Sequence, residues 1–204
     1  MPEIEDIYPL SPTQQGLLFH SLLAPGAGLY VPQIVLSLSG KLDAERLQAA
    51  WNNAVQRHTV LRTGFQWEQR DEPFQVVYSA VDLGWTELDW SAFPKNEQTT
   101  KLQAFLAANR SEPFNLHRPP LFRVHLIRCS ADTYYLVWAY HHLLLDGWSA
   151  SRVLQEVLQD YLVGRGIQPP RTRYAEYIAW QRKQDVAAAE NFWTKYLGDD
   201  SAEF

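Results

Sequence analysis

The sequence is poor in the features that most quickly assign a class. It has one cysteine in 204 residues, Cys129, so no internal disulfide can form, and no thiolate-stabilising motif surrounds it. Cys129 is therefore read as a half-buried strand residue and not as a nucleophile. No apolar run approaches the length of a membrane span. The opening Met-Pro-Glu-Ile-Glu-Asp lacks the basic and apolar regions of a secretion signal, which predicts a cytoplasmic protein. A net charge of −5 argues against nucleic acid as a partner and gives no support for binding an anionic membrane surface. Repeats, low-complexity tracts and linker-like Pro/Gly/Ser stretches are absent. What is present is apolar: 46% hydrophobic residues and eight Trp, enough for a packed core.

Helical and strand periods alternate from end to end. Ser11-Pro12-Thr13-Gln14 reads as a helix start, with a Ser cap, Pro at the first helical position and Gln three residues after the cap. Leu17, Leu18, Leu22 and Leu23 are the expected apolar face, and Pro25-Gly26 the expected stop. Ile34, Leu36 and Leu38 alternate in a strand ending at Gly40. Asp43 is placed to cap a second helix, with Leu47, Trp51, Ala54 and His58 at helical spacing. Thr63 to Trp67 and Pro73 to Tyr78 are candidate strands, and Leu102, Phe105 and Leu106 mark a helix. Arg123 to Arg128 and Tyr134 to Tyr140 read as adjacent strands, the second apolar on both faces and hence central. Val153, Leu154, Val157, Leu158, Tyr161 and Leu162 form a stripe ending at Gly164. The tail from Tyr174 to Leu197 reads as helical. The expected class is an α/β (α+β) sandwich, with one mixed sheet and helices packed on it.

Chemistry concentrates between the central strand and the Val153 helix, in Tyr140-His141-His142-Leu143-Leu144-Leu145-Asp146-Gly147-Trp148-Ser149. Two adjacent histidines leaving a buried strand are hard to explain by packing, since each desolvated ring nitrogen needs a partner. A strand end leading into a helix N-terminus also offers free N–H groups and a positive dipole end, suited to a developing oxyanion. His142 is read as the reacting group and His141, on the other side of the chain, as a structural hydrogen-bonder. Asp146 can cap the helix, a role compatible with a place in the site. Gly147 would allow close backbone approach or a positive φ. His58 reads as a satisfied core histidine, and Tyr177 and Trp180 as core.

Four segments together resemble the condensation domains of nonribosomal peptide synthetases, within the chloramphenicol-acetyltransferase-like superfamily. Ser11 to Phe19 is similar to the first motif of that family, Arg57 to Phe65 to the second, His141 to Ser149 to the third and Tyr174 to Trp180 to the fourth. The later family motifs are missing, so residues 1–204 are expected to be the N-terminal lobe of a domain about twice as long, with its C-terminal lobe absent.

The resemblance implies amide formation between an aminoacyl acceptor and a peptidyl or acyl donor, as in the biosynthesis of antibiotics and other secondary metabolites. Both substrates would arrive as thioesters on the 4′-phosphopantetheine arms of donor and acceptor carrier domains, and an adenylation domain would belong to the same synthetase. No cofactor or metal bound by this chain is implied. His142 and Gly147 would carry catalysis, and His141, Asp146 and Arg62 would support the site. Asp146 and Arg62 would pair as a clasp, with His142 projecting into a cleft. Trp148 and Ser149 would line the substrate channel. Gln14 to His20 and Leu143 to Trp148 look more like members that accept a D-configured donor. Trp148 speaks against an epimerisation domain, and the intact His pair with Gly147 against cyclisation and oxygenase-recruiting relatives. A coenzyme A-dependent acyltransferase of the same superfamily and a noncatalytic carrier-binding module are the competing readings.

Overall fold

A computed structural model describes residues 3–24, 27–69, 71–164 and 172–198. The expected helix stop at Pro25-Gly26 lies outside them. The order is β1 (Ile4–Pro9), α1 (Pro12–Leu23), β2 (Gln33–Ser39), α2 (Ala44–Arg57), a 3-10 turn (Thr59–Arg62), β3 (Thr63–Gln66), β4 (Phe74–Tyr78), β5 (Trp85–Asp89), α3 (Lys95–Ser111), β6 (Phe122–Arg128), β7 (Thr133–Tyr140), α4 (Gly147–Val163), α5 (Tyr174–Gln181) and α6 (Val186–Leu197).

The mixed α/β class holds, but the strands form two sheets where one was expected. Strands β2-β7-β6-β5 form a four-stranded sheet, antiparallel except for the parallel β5–β6 pair. Strands β1-β4-β3 form a separate antiparallel sheet. Local periodicity identifies a strand but not its partner, and β1 pairs with residues some seventy positions away.

Strand β7 is interior, as its two apolar faces imply. Leu136, Trp138 and Tyr140 point to the main core with Leu47, Trp51 and Val55 of α2 and Val153 and Val157 of α4. Val137 points the other way, into a second cluster with Leu102 of α3 and Ile127. The four-stranded sheet is thus covered on both faces, and the alternation along β7 is the period-2 geometry of a strand. The rings of Trp51 and Trp138 meet edge to face at 4.9 Å, locking α2 to the sheet.

Helices α2 and α4 are also joined by a polar clamp. The Glu156 carboxylate accepts from Arg57 and from His58 Nε2, both at 2.8 Å. Burial alone would raise the Glu156 pKa, but these hydrogen bonds outweigh it and hold the carboxyl below its ordinary value. His58, expected in the core, is instead the half-buried C-terminal cap of α2, satisfied by this carboxylate.

Three other expectations are corrected. Leu18 of α1 is buried, but Leu22 and Leu23 are 41% and 66% exposed. Tyr177 and Trp180 are exposed and not core; only Ile178 of α5 is buried, against Tyr8 and Val77. Cys129 lies just past β6 and is buried, and burial, then Asp89, pushes its thiol pKa up, away from nucleophilic character. The helix boundaries were the legible part: Ser11 and Gln14 form the reciprocal capping box, and Gly164 closes α4 at φ 66°.

Between the sheets, β3 passes so close to the 116–117 backbone that position 64 has no room for a side chain. A Cβ there would lie 2.6 Å from the His117 carbonyl oxygen. Gly64→Ala should therefore destabilise the chain by about 1–3 kcal/mol, seen as a melting temperature lower by roughly 2–10 °C. Gly16→Ala, whose Cβ would meet nothing within 4 Å, is the control. Equal melting temperatures for the two variants would contradict this account of β3.

Candidate active site

Strand β7 ends at Tyr140, and the chain turns through His141–Leu145 before Asp146 starts α4. The turn is tied at several points. The His141 amide donates to the Leu121 carbonyl at 2.9 Å, the His142 amide to the Tyr30 carbonyl at 2.9 Å, and the Leu144 amide to the His141 carbonyl at 3.0 Å.

The two imidazoles are held in opposite states. His141 is buried, and its Nδ1 accepts the Leu143 amide at 3.1 Å. In the neutral ring the proton must then sit on Nε2, which faces the Ser21 hydroxyl at 3.3 Å. Ser21 donates its own proton to the Leu17 carbonyl at 2.6 Å, so the relay ends on α1. Desolvation, aided by the neighbouring His142, lowers the His141 pKa to about 4, so this ring is neutral at pH 7.

His142 is half-buried, with its ring edge-on to Tyr140. Its Nδ1 lies 3.0 Å from the Leu145 carbonyl, which can only accept. Neutral His142 therefore carries its proton on Nδ1, and Nε2 keeps a lone pair with no hydrogen bond among the described residues. His141 is thus bonded at both nitrogens, whereas His142 keeps a basic nitrogen without a partner among the described residues.

Asp146 caps α4, its carboxylate accepting the Ser149 amide at 2.7 Å. That backbone hydrogen bond is the main cause holding its carboxyl below the ordinary range, with a smaller contribution from His142. Gly147 has no positive φ, and a Cβ there would meet nothing within 4 Å. Its glycine identity is therefore not demanded by this chain's own packing. The amides of Gly147 and Trp148, the first two of α4, carry no bond among the described residues and stand at the helix's positive end.

The expected clasp between Asp146 and Arg62 is not formed. The buried Arg62 guanidinium bonds Glu5 at 2.6 Å, the Val55 carbonyl at 3.1 Å, the Gln56 carbonyl at 3.2 Å and the Tyr78 carbonyl. These partners satisfy its donors locally, so it ties β1, β4 and the end of α2 together and does not reach the loop. Sequence reading missed Glu5 because it falls in none of the four motifs.

Beside the loop runs a groove of about 1000 Å³. Trp148, 88% exposed, and Ser149 line it, with Leu144, Arg57, Arg152 and Tyr177. His142 does not line this groove. Among the described residues no group of three His, Cys, Asp or Glu is placed to hold a metal ion, and no helix is long and apolar enough to cross a membrane.

Comparison with known proteins identifies the family and the fold. The family described as "Condensation domain" matches residues 4–203. One of the linear gramicidin synthase proteins of Brevibacillus parabrevis is 41% identical over 202 residues, covering 97% of this chain and 3% of that protein. Surfactin synthase subunit 3 of Bacillus subtilis (strain 168) is 33% identical over 199 residues, covering 96% of this chain and 16% of that protein. The crystal structure of the starter condensation domain of rhizomide synthetase RzmA superposes with a TM-score of 0.81 at 21% identity, covering 97% of this chain and 49% of that one. The chain thus spans a small part of these synthetases and about half of the solved domain. On this match to the family and to its synthetases, the chain belongs to the condensation domains of nonribosomal peptide synthetases.

Proposed function

We propose that this chain is the N-terminal lobe of a condensation domain and that His142 orients the attacking amine in peptide-bond formation. The acceptor's α-amine attacks the donor thioester carbonyl; the C–N bond forms, the C–S bond breaks, and the thiolate leaves on the donor's pantetheine arm. The amine proton is lost to His142 or to water. The observation that carries this reading is the Nδ1–H bond to Leu145, which fixes the tautomer and leaves Nε2 free to accept from an N–H.

Magnitudes divide the work. An α-amine has a pKa of about 8, so roughly a tenth is already neutral at pH 7. General-base help is worth about 10²–10⁴ in rate, whereas positioning two reactants can supply an effective molarity of about 10⁵ M or more. Orientation by Nε2 is therefore the larger contribution, and proton removal the smaller. The free amides of Gly147 and Trp148 are the groups suited to the developing oxyanion. The open space at Gly147 is room for a substrate, which is why a glycine without a packing reason stands there.

The donor and acceptor carrier domains and an adenylation domain of the same synthetase are the proposed partners, with a D-configured donor favoured by the sequence around Gln14 and Leu143. Helix α6 supports the division into lobes. None of its described residues is buried, and Phe192, Trp193, Tyr196 and Leu197 are each more than half exposed. The second half of the domain is the proposed cover.

In the complete domain, His142→Ala should lower amide formation by roughly 10² or more while the fold persists. Gly147→Ala should leave the melting temperature within about 2 °C, because nothing in the lobe meets its Cβ, yet slow turnover at least about tenfold. Near-normal turnover in either variant refutes its assigned role.

A second expectation concerns acid. His141 is near 4 folded and about 6.5 unfolded, so the unfolded chain binds a proton that the native state refuses. Stability is unaffected by His141 above pH 6.5 and falls as the pH drops toward 4, by on the order of 3 kcal/mol at the lower limit. Denaturant titrations from pH 7 to 4 measure this. A His141→Asn variant showing the same slope in that window would mean the buried ring is not the cause.

The lobe alone is expected to make no amide bond from carrier-bound substrates and to bind a hydrophobic dye through α6. Measurable amide synthesis by the 204-residue chain would contradict the need for a second lobe.

A further inference from the structure

Gln14 sits at the third position of α1 and is 5% exposed. Its place in the capping box accounts for one bond: Oε1 accepts the Ser11 amide at 3.0 Å. The other end of the same amide does something the cap does not need. Gln14 Nε2 donates to the Leu143 carbonyl at 3.0 Å, reaching the histidine loop from 129 positions away. A third partner is Gln75 of β4, fully buried, whose Nε2 donates to Gln14 Oε1 at 3.1 Å and to the Pro9 carbonyl at 3.0 Å. The orientation of the Gln14 amide is forced, because the Ser11 N–H requires an oxygen at one end and the Leu143 C=O a nitrogen at the other.

Leu143 is thereby pinned at both peptide groups. Its N–H is held by His141 Nδ1 and its C=O by Gln14. Two residues further on, the Leu145 carbonyl is the acceptor that fixes the His142 proton on Nδ1. The Leu143–Leu144 peptide is held at its carbonyl by Gln14 and at its N–H by the His141 carbonyl at 3.0 Å, so loss of Gln14 leaves it a single tie about which its carbonyl can swing, shifting that acceptor.

We infer that Gln14 is a positioning residue, which through Leu143 keeps the Leu145 carbonyl in place and so sets the tautomer of His142. The inference rests on the proposed role of His142 only for its catalytic consequence; the tautomer is a property of this chain.

The test compares three variants of the chain. Gln14→Met removes the donor to Leu143 without changing length. Gln14→Asn is the milder substitution, keeping an amide too short to bridge Ser11 and Leu143. Gln75→Met breaks the other half of the amide pair while leaving the Leu143 bond intact, and so controls for a merely structural loss. Long-range ¹⁵N–¹H correlation spectra of the imidazoles, at a pH where both rings are neutral, read the tautomers directly.

Both Gln14 variants should lower the Nδ1–H to Nε2–H ratio of His142 about five- to tenfold, the weight of one hydrogen bond. Gln75→Met should leave that ratio unchanged even where its melting temperature falls as far. In the complete domain the Gln14 variants should also lose roughly ten- to a hundredfold in kcat with little change in KM.

An unchanged ratio in the Gln14 variants overturns the inference, as does an equal shift in Gln75→Met. Should Gln14→Met fail to fold, Gln14→Asn against Gln75→Met decides the matter. Failure of the catalytic reading is separate: it shows as normal turnover in His142→Ala, with the tautomer shift intact.

Discussion

A neutral imidazole carries one proton, and the group opposite each ring nitrogen decides where it sits. The six residues from His141 to Asp146 apply that rule twice with opposite results. A backbone N–H faces Nδ1 of His141 and sends its proton to Nε2, while a backbone C=O faces Nδ1 of His142 and keeps its proton there. The first ring is given over to structure, buried and bonded at both nitrogens. The second is left with one basic nitrogen and no protein partner among the described residues. Because both selecting groups are main-chain atoms of the same turn, the chemistry depends on the turn's shape more than on any neighbouring charge.

The surrounding fold supplies that shape. Strand β7 is packed on both faces, so its end is a fixed launching point, and the Asp146 cap fixes where α4 begins. The cap also consumes the carboxylate that the family resemblance assigned to Arg62. An arginine is satisfied by whichever acceptors converge on it, and Glu5 with three carbonyls does so here. The two residues act in separate structures: one sets the helix start, the other joins the small sheet to the end of α2.

Local chemistry in the sequence was a sound guide where the cause is itself local. The capping box at Ser11 and Gln14, the alternation in β2, the two-faced β7 and the closing Gly164 depend on residues a few positions apart. The division into two sheets was not legible, since pairing β1 with β4 is settled by long-range packing. Apolar spacing in α1 and in the tail correctly marked helices but overstated burial at Leu22, Leu23, Tyr177 and Trp180, because periodicity names an apolar face without naming what covers it. The histidine loop was recognisable from residue types alone; the tautomers were not, as they depend on distances within the turn.

The same limit explains why Gln14 reads as a cap and nothing more. Spacing reveals its bond to Ser11, three residues away, but an amide has a donor end as well as an acceptor end. The donor end joins the first motif to the third, and the Ser21 hydroxyl, further along α1, ties the same helix to the loop through His141. Two ties from one helix to one turn make α1 and the histidine loop a single mechanical unit, although 129 positions separate Gln14 from Leu143. Positioning chemistry requires such rigidity, because a displacement of about 1 Å at the reacting groups can cost 10² in rate. Neutral amides suit the task better than an ion pair. They hold the loop without adding a buried charge that would bias the protonation of two imidazoles one residue apart.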